Sequence, residues 1–213
     1  MKPPALAPFY EHRGGLYVGL TNRCPTACRF CAKRDLDWTF EGHDLLLKSE
    51  RPLAALRPAL LRLLRPPHRW LELVFCGFGE STYRLGAMSA LCREARRLRP
   101  EIPLRLNTIG LGDLIQGRDI VPELAESLDS VSVSLNTADP EQWLELHRPA
   151  PAFRARGFAA SRSFARRCVE AGLDARVTAV ELPGVDLDAV RAHALGIGAG
   201  FLVRPPLPGA AGA

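Results

Sequence analysis

Six short stretches of the chain read as strand-like runs, four of them alternating apolar and polar residues with period two. They are "GLYVGLT" (15–21), "WLELVFC" (70–76), "PLRLNT" (103–108), "SVSVSLN" (130–136), "DARVTAV" (174–180) and "GFLVR" (200–204). That period marks β-strands. Between them lie stretches with helical spacing, at roughly 49–64, 84–98, 119–128, 140–147 with 152–171, and 186–195. Pro66-Pro67, Pro100, Asp139-Pro140 and Gly172 punctuate most of the boundaries. Strand and helix in regular alternation predict a parallel sheet with right-handed crossovers.

The alternation also predicts how the sheet is covered. Val131, Val133 and Leu135 share one face, and Ser132, Ser134 and Asn136 the other. Leu104 and Leu106 oppose Arg105 and Asn107. Val177 and Ala179 oppose Arg176 and Thr178, and Leu16, Val18 and Leu20 oppose Tyr17, Gly19 and Thr21. Strands covered by helices on both faces read instead as unbroken apolar runs. Helices therefore belong outside, with a polar concave lumen inside that suits a large polar ligand. Six βα steps fill 213 residues, fewer than the ~250 of a closed eight-fold barrel. The expected fold is α/β, a partial (open) TIM-type barrel of about six parallel βα units. It forms one domain over 1–213, with short flexible tails at 1–10 and 205–213.

Composition narrows the class. An apolar content of 47% over this length supports one core, not two. No run of about 18 apolar residues predicts a membrane span. The start "MKPPALAPFYEHRGG" lacks the apolar centre of a signal peptide. A cytoplasmic location follows as the expectation, where thiols stay reduced. The net charge of +5 is carried by arginine, since Lys2, Lys33 and Lys48 are the only lysines. A basic surface attracts nucleic acid. The arginines, however, fall on helical stretches such as "LCREARRLRP", with none of the aromatic interleaving of single-strand binders. Charge alone supports a nucleic-acid partner.

The candidate chemistry follows the first strand. Cys24, Cys28 and Cys31 have C-x3-C-x2-C spacing in "LTNRCPTACRFC", at the strand end where parallel barrels carry active sites. Clustered thiolates suit zinc or an iron–sulfur cluster. A [4Fe–4S] cluster ordinarily takes four cysteines. With three, one iron keeps an open position, as catalytic metal sites do. The alternative is a structural zinc site completed by His43 or Cys76, in a non-catalytic module. The second strand runs into "CGFGE", Cys76 to Glu80. Its glycines let backbone approach a ligand, and Glu80 either accepts from an ammonium group or caps the turn. Cys76, Cys92 and Cys168 are too scattered for a second cluster and read as buried thiols. His147, near the predicted opening, is a candidate for substrate contact.

Cys24-x3-Cys28-x-Phe30-Cys31, followed by Gly77-Phe78-Gly79-Glu80, resembles the radical S-adenosylmethionine (SAM) superfamily. "LYVGLTNRCPTACRFC", "VFCGFGESTYRL", "LRLNTIGLGDLIQGRDIVPEL" and "VSVSLNT" resemble its TatD-linked members, which are often encoded beside or fused to TatD-family nucleases. The likeness runs over roughly residues 10–205. It implies that Cys24, Cys28 and Cys31 ligate a [4Fe–4S] cluster whose fourth iron is chelated by SAM. Reductive cleavage would give a 5′-deoxyadenosyl radical that abstracts hydrogen from an unidentified substrate. An activase that makes a radical on a partner protein is a variant of the same chemistry. The resemblance implies SAM contacts from Phe30, Gly77, Phe78, Gly79, Glu80 and Asn107. It adds ribose contacts from Ser132, Ser134 and Asn136, and adenine contacts from the backbone near Val180 and Leu182. Arg148 and Arg204, past strand ends, are candidates to hold the SAM carboxylate or an anionic substrate. Implied partners are an electron donor such as flavodoxin or ferredoxin, and a TatD-family nuclease. The chain departs from the family pattern at Ser81, where proline is usual, and at Ile109, where asparagine is expected. Neither position touches a cluster ligand.

Overall fold

In the computed structural model, which describes residues 8–31, 33, 36–67 and 69–206, each of the six stretches contains a strand. These are β2 (Gly15–Val18), β5 (Leu73–Phe75), β6 (Leu104–Thr108), β7 (Ser130–Ser134), β8 (Asp174–Val180) and β9 (Gly200–Arg204). They lie side by side in chain order, each parallel to the next. Three strands were not anticipated: the two of a short hairpin at 39–44 and β1 (Phe9–His12), which pairs antiparallel with β2. It overlaps the expected N-terminal tail, because Phe9 and Tyr10 are buried rather than loose. The remaining tail residues, 1–7 and 207–213, lie outside the described residues. The sheet runs from β1 to β9 and is open, not closed into a barrel.

The helices are α1 (Leu53–Leu64), α2 (Leu85–Leu98), α3 (Gly112–Gln116), α4 (Val121–Ser127), α5 (Pro140–His147), α6 (Pro151–Arg154), α7 (Gly157–Glu170) and α8 (Leu187–Gly196). Two of them start where local chemistry dictates. Asp139 caps α5 by accepting from the Gln142 N–H at 2.7 Å, with Pro140 as first residue. Asp186 caps α8 through the Ala189 N–H at 2.9 Å. None of the described helices is long and apolar enough to cross a membrane.

The core lies on one side of the sheet. Leu16, Val18, Phe75, Leu106, Val131, Val133, Val177 and Ala179 pack there against Leu60 of α1, Met88 and Leu91 of α2, Leu124 of α4 and Phe164 of α7. This is the apolar face that the alternation predicts. The concave face is uniform only in the sequence. Near β1, β2 and β5, Tyr10, Tyr17 and Val74 form a second apolar cluster with Phe40, Leu45 and Cys76. Phe40 belongs to a short hairpin, β3 (Thr39–Phe40) with β4 (His43–Asp44), that folds over this end. The polar lumen is thus confined to the β6–β9 side.

Candidate active site

The cysteine loop leaves β2 and is held from two directions. On one side, the Glu80 N–H donates to the Arg23 carbonyl at 2.8 Å, tying the loop to the glycine turn after β5. On the other, Ala27 and Arg29 donate to the carbonyls of His147 and Leu146, and Ala150 donates to Pro25. The end of α5 therefore forms the loop's outer wall. Gly79 makes the first contact possible. A Cβ there would stand 2.0 Å from the Thr21 carbonyl oxygen and 2.9 Å from that of Arg23. A side chain does not fit between the two motifs.

Cys24, Cys28 and Cys31 are all free thiols. The Thr26 hydroxyl bridges two of them, 3.4 Å from Cys24 Sγ and 3.3 Å from Cys28 Sγ. Burial pushes the Cys28 thiol up to about 12 and raises that of Cys24, against the lowering effect of Thr26. Iron would have to displace those protons, since the thiolate is the ligand. Among the described residues, no three His, Cys, Asp or Glu side chains gather closely enough to hold a single ion. The residues considered for completing a zinc site lie in the apolar cover: His43 faces the Tyr10 ring at 5.9 Å, and Cys76 packs with Tyr10, Tyr17 and Val74. Neither His43 nor Cys76 therefore completes a set with the three thiols, and three cysteines on one loop suit a cluster with one open iron.

The other predicted residues divide into those that face the lumen and those used by the fold. Ser134 Oγ accepts from Arg204 Nη2 at 2.9 Å and lies 3.5 Å from Thr178 Oγ1. Arg204 is partly buried, and its Nε is fully enclosed without a hydrogen-bond partner among the described residues. Burial lowers its pKa, while the thiols of Cys76 and Cys28 pull the other way. Its charge thus acts across the lumen, from β9 to the glycine turn and the cysteine loop. A guanidinium whose Nε is enclosed, with no carboxylate paired to it among the described residues, is a costly group that an anionic ligand would satisfy. Ser132 shares this face and is buried. Asn107 accepts from Arg105 at 2.6 Å, and Arg105 is paired with Glu72. Val180 and Leu182 lie at the exit of β8.

Three expectations change. The Glu80 carboxylate is buried and accepts four hydrogen bonds, from Thr82 N–H, Thr82 Oγ1, Thr108 Oγ1 and Ile109 N–H, all at 2.9 to 3.1 Å. Its acceptor capacity serves the fold; burial nevertheless raises its pKa. Asn136 is fully buried and takes the left-handed conformation (φ 65°). Its amide joins β7 to Val180 and His147 and does not open onto a ligand. Arg148 is the exposed C-cap of α5. It lines an outer groove of about 380 Å³ with Arg29 and Arg154, away from Arg204. Phe30 meets the His147 ring edge-on at 5.3 Å, and Phe78 meets Trp38 at 5.9 Å.

Sequence reasoning missed Thr26, although its place two residues from each of two cysteines carries a local signal. It also misplaced His147, which is fully buried and lies 3.4 Å from Cys28 Sγ. Burial holds the His147 pKa down at about 3, so the ring is neutral. Cys28 and His147 are 119 positions apart, and no spacing rule links them.

Known proteins bear on this site in two ways. The family model described as Radical SAM superfamily matches residues 18–195. Several solved structures share the fold. SuiB of Streptococcus suis, bound to precursor peptide SuiA, superposes with a TM-score of 0.66 at 19% identity, covering 90% of this chain and 39% of SuiB. A SuiB structure bound to S-adenosylmethionine gives 0.65 at 18% identity, covering 90% and 40%. A radical SAM methyltransferase from Sphaerobacter thermophilus gives 0.57 at 15% identity, covering 92% and 68%. The chain therefore spans about two fifths of the length of SuiB. No curated protein matches it.

Proposed function

Because the chain belongs to the radical SAM superfamily, we propose that it is an enzyme holding a [4Fe–4S] cluster and SAM at the mouth of its concave face. When bound, this pair supplies reductive cleavage of SAM to a carbon-centred radical that abstracts hydrogen from the substrate. The observation that carries the proposal is the loop of three free thiols, Cys24, Cys28 and Cys31, beside the polar half of the lumen.

Each part of the chain has a task in this reading. Cys24, Cys28 and Cys31 ligate three irons. Gly79 brings the glycine turn against the backbone that leads into the cysteine loop, and Gly77 packs on Gly19, so the turn's backbone would border the methionyl end of SAM. Arg204, set by Ser134, holds a carboxylate. Ser132 and Ser134 offer hydroxyls to the ribose, and the backbone from Val180 to Leu182 borders the adenine. The sequence motifs support placement among the TatD-linked members, with a TatD-family nuclease as functional partner. A flavodoxin- or ferredoxin-like donor supplies the electron.

Anaerobic reconstitution tests the reading. Iron and labile sulfide are expected in the purified protein, with 5′-deoxyadenosine released on reduction in the presence of SAM. Zinc without labile sulfide sinks the proposal. Cys24→Ala, Cys28→Ala and Cys31→Ala should each abolish the cluster, and full cluster content in any one of them removes that residue from the ligand set.

A further inference from the structure

The His147 ring is fixed on every side. It lies on the last turn of α5, fully buried. It stacks on Trp143 with ring centroids 4.7 Å apart and planes at 23°, and Phe30 meets it edge-on. Its Nδ1 is 3.4 Å from Cys28 Sγ. Its Nε2 is 3.2 Å from both Asn136 Nδ2 and the Leu135 carbonyl oxygen. A neutral imidazole has one N–H to give, so these contacts compete.

Asn136 weights the competition. Its Oδ1 accepts from the Val180 N–H at 2.9 Å, and its Nδ2 donates to the Ser134 carbonyl at 3.2 Å. Reversing the amide would break both bonds, so the group facing His147 Nε2 is a donor. It calls for a bare Nε2 and a proton on Nδ1, whereas the Leu135 carbonyl calls for the opposite. The sulfur decides. A free Cys28 thiol can donate to Nδ1 and leave Nε2–H to Leu135. An iron-bound Cys28 is a thiolate and can only accept, which selects Nδ1–H with Nε2 accepting from Asn136.

We infer that His147 is a positioning residue that donates Nδ1–H to the Cys28 sulfur once that sulfur binds iron, stabilising the reduced cluster and raising its reduction potential. The inference rests on the radical SAM reading. Reduction adds negative charge that spreads onto the ligand sulfurs, so a hydrogen bond there strengthens on reduction. Such bonds are among the groups that set iron–sulfur potentials. Asn136 holds the tautomer in place, and Trp143 holds the plane of the ring.

The test is an EPR-monitored potential titration of anaerobically reconstituted protein, with iron and sulfide counted in each sample. His147→Phe keeps an aromatic ring beside Trp143 and removes the donor. Its reduced-to-oxidised ratio at a fixed poise is expected to fall about tenfold, equivalent to ~59 mV for a one-electron couple. His147→Gln, whose amide can donate, should recover part of the shift. Wild-type midpoints in both variants at full cluster content would overturn the inference. If the variants fail to assemble a cluster, wild-type protein labelled with 15N-histidine decides. Pulsed EPR of its reduced cluster should show a histidine nitrogen coupling, and its absence counts against the bond. A wild-type protein that takes up no iron–sulfur cluster would refute the family-level proposal, a result distinct from an unmoved midpoint.

Discussion

The two ends of the concave face are built from the same alternating pattern and put to opposite uses. At the β2–β5 end the inward positions are Tyr17, Val74 and Cys76, sealed under Tyr10 and the Phe40 hairpin. At the β7–β9 end they are Ser132, Ser134, Thr178 and Arg204; Ser134 bonds Thr178 and Arg204, and the Arg204 Nε has no partner among the described residues. One end is a second small core. The other is a polar surface, and the cysteine loop sits at its rim. Inward residues are therefore recruited either for stability or for binding, according to what covers them.

This division can be broken by substitution. Tyr10→Ala should have the largest effect on stability, about 3–5 kcal/mol as for other buried aromatics, or a Tm lowered by roughly 10 °C. SAM affinity of the protein that remains folded should be unchanged, and a selective loss of binding would contradict the assignment of this end to the core. Glu80→Gln comes next, at ~2–3 kcal/mol, because an NH2 group in place of either oxygen would confront two of the four committed donors. Calorimetry separates this from a ligand role, which predicts intact stability and weakened SAM binding. Arg204→Gln should reverse the pattern. Titration calorimetry should show SAM binding weakened about ten- to hundredfold, the ~1.5–3 kcal/mol of a charged hydrogen bond. Its Tm should change little, since the lost Ser134 bond is offset by removal of a partly buried charge that pairs with no carboxylate among the described residues. Ser132→Ala is the mildest, below ~1 kcal/mol in either measurement; a larger loss of stability would place Ser132 with the core.

The sequence was readable where neighbours along the chain determine the outcome. Six strands, their order of polar and apolar faces and the capped starts of α5 and α8 all follow from period, Asp and Pro. The loop of Cys24, Cys28 and Cys31 was legible for the same reason: its chemistry lies within eight residues. What failed depended on distant segments. The cover over Tyr17 comes from residues near Phe40, in strands two residues long that leave no periodic trace. Glu80 looked like a ligand because its four donors lie partly at Thr108 and Ile109, outside its own turn. Asn136 reads as inward-facing and His147 as near the opening in sequence, and only packing of α5 against the cysteine loop buries them together.

Gly79 sets a ruler between the cysteine loop and the turn after β5. With 2.0 Å between an added methyl carbon and the Thr21 oxygen, the two motifs are registered by an atom that is missing. Neither can drift in evolution on its own: any residue gained at position 79 demands a compensating retreat by the backbone from Thr21 to Arg23, which carries Cys24 with it. An engineer who grafts one motif onto another scaffold must therefore carry the other along.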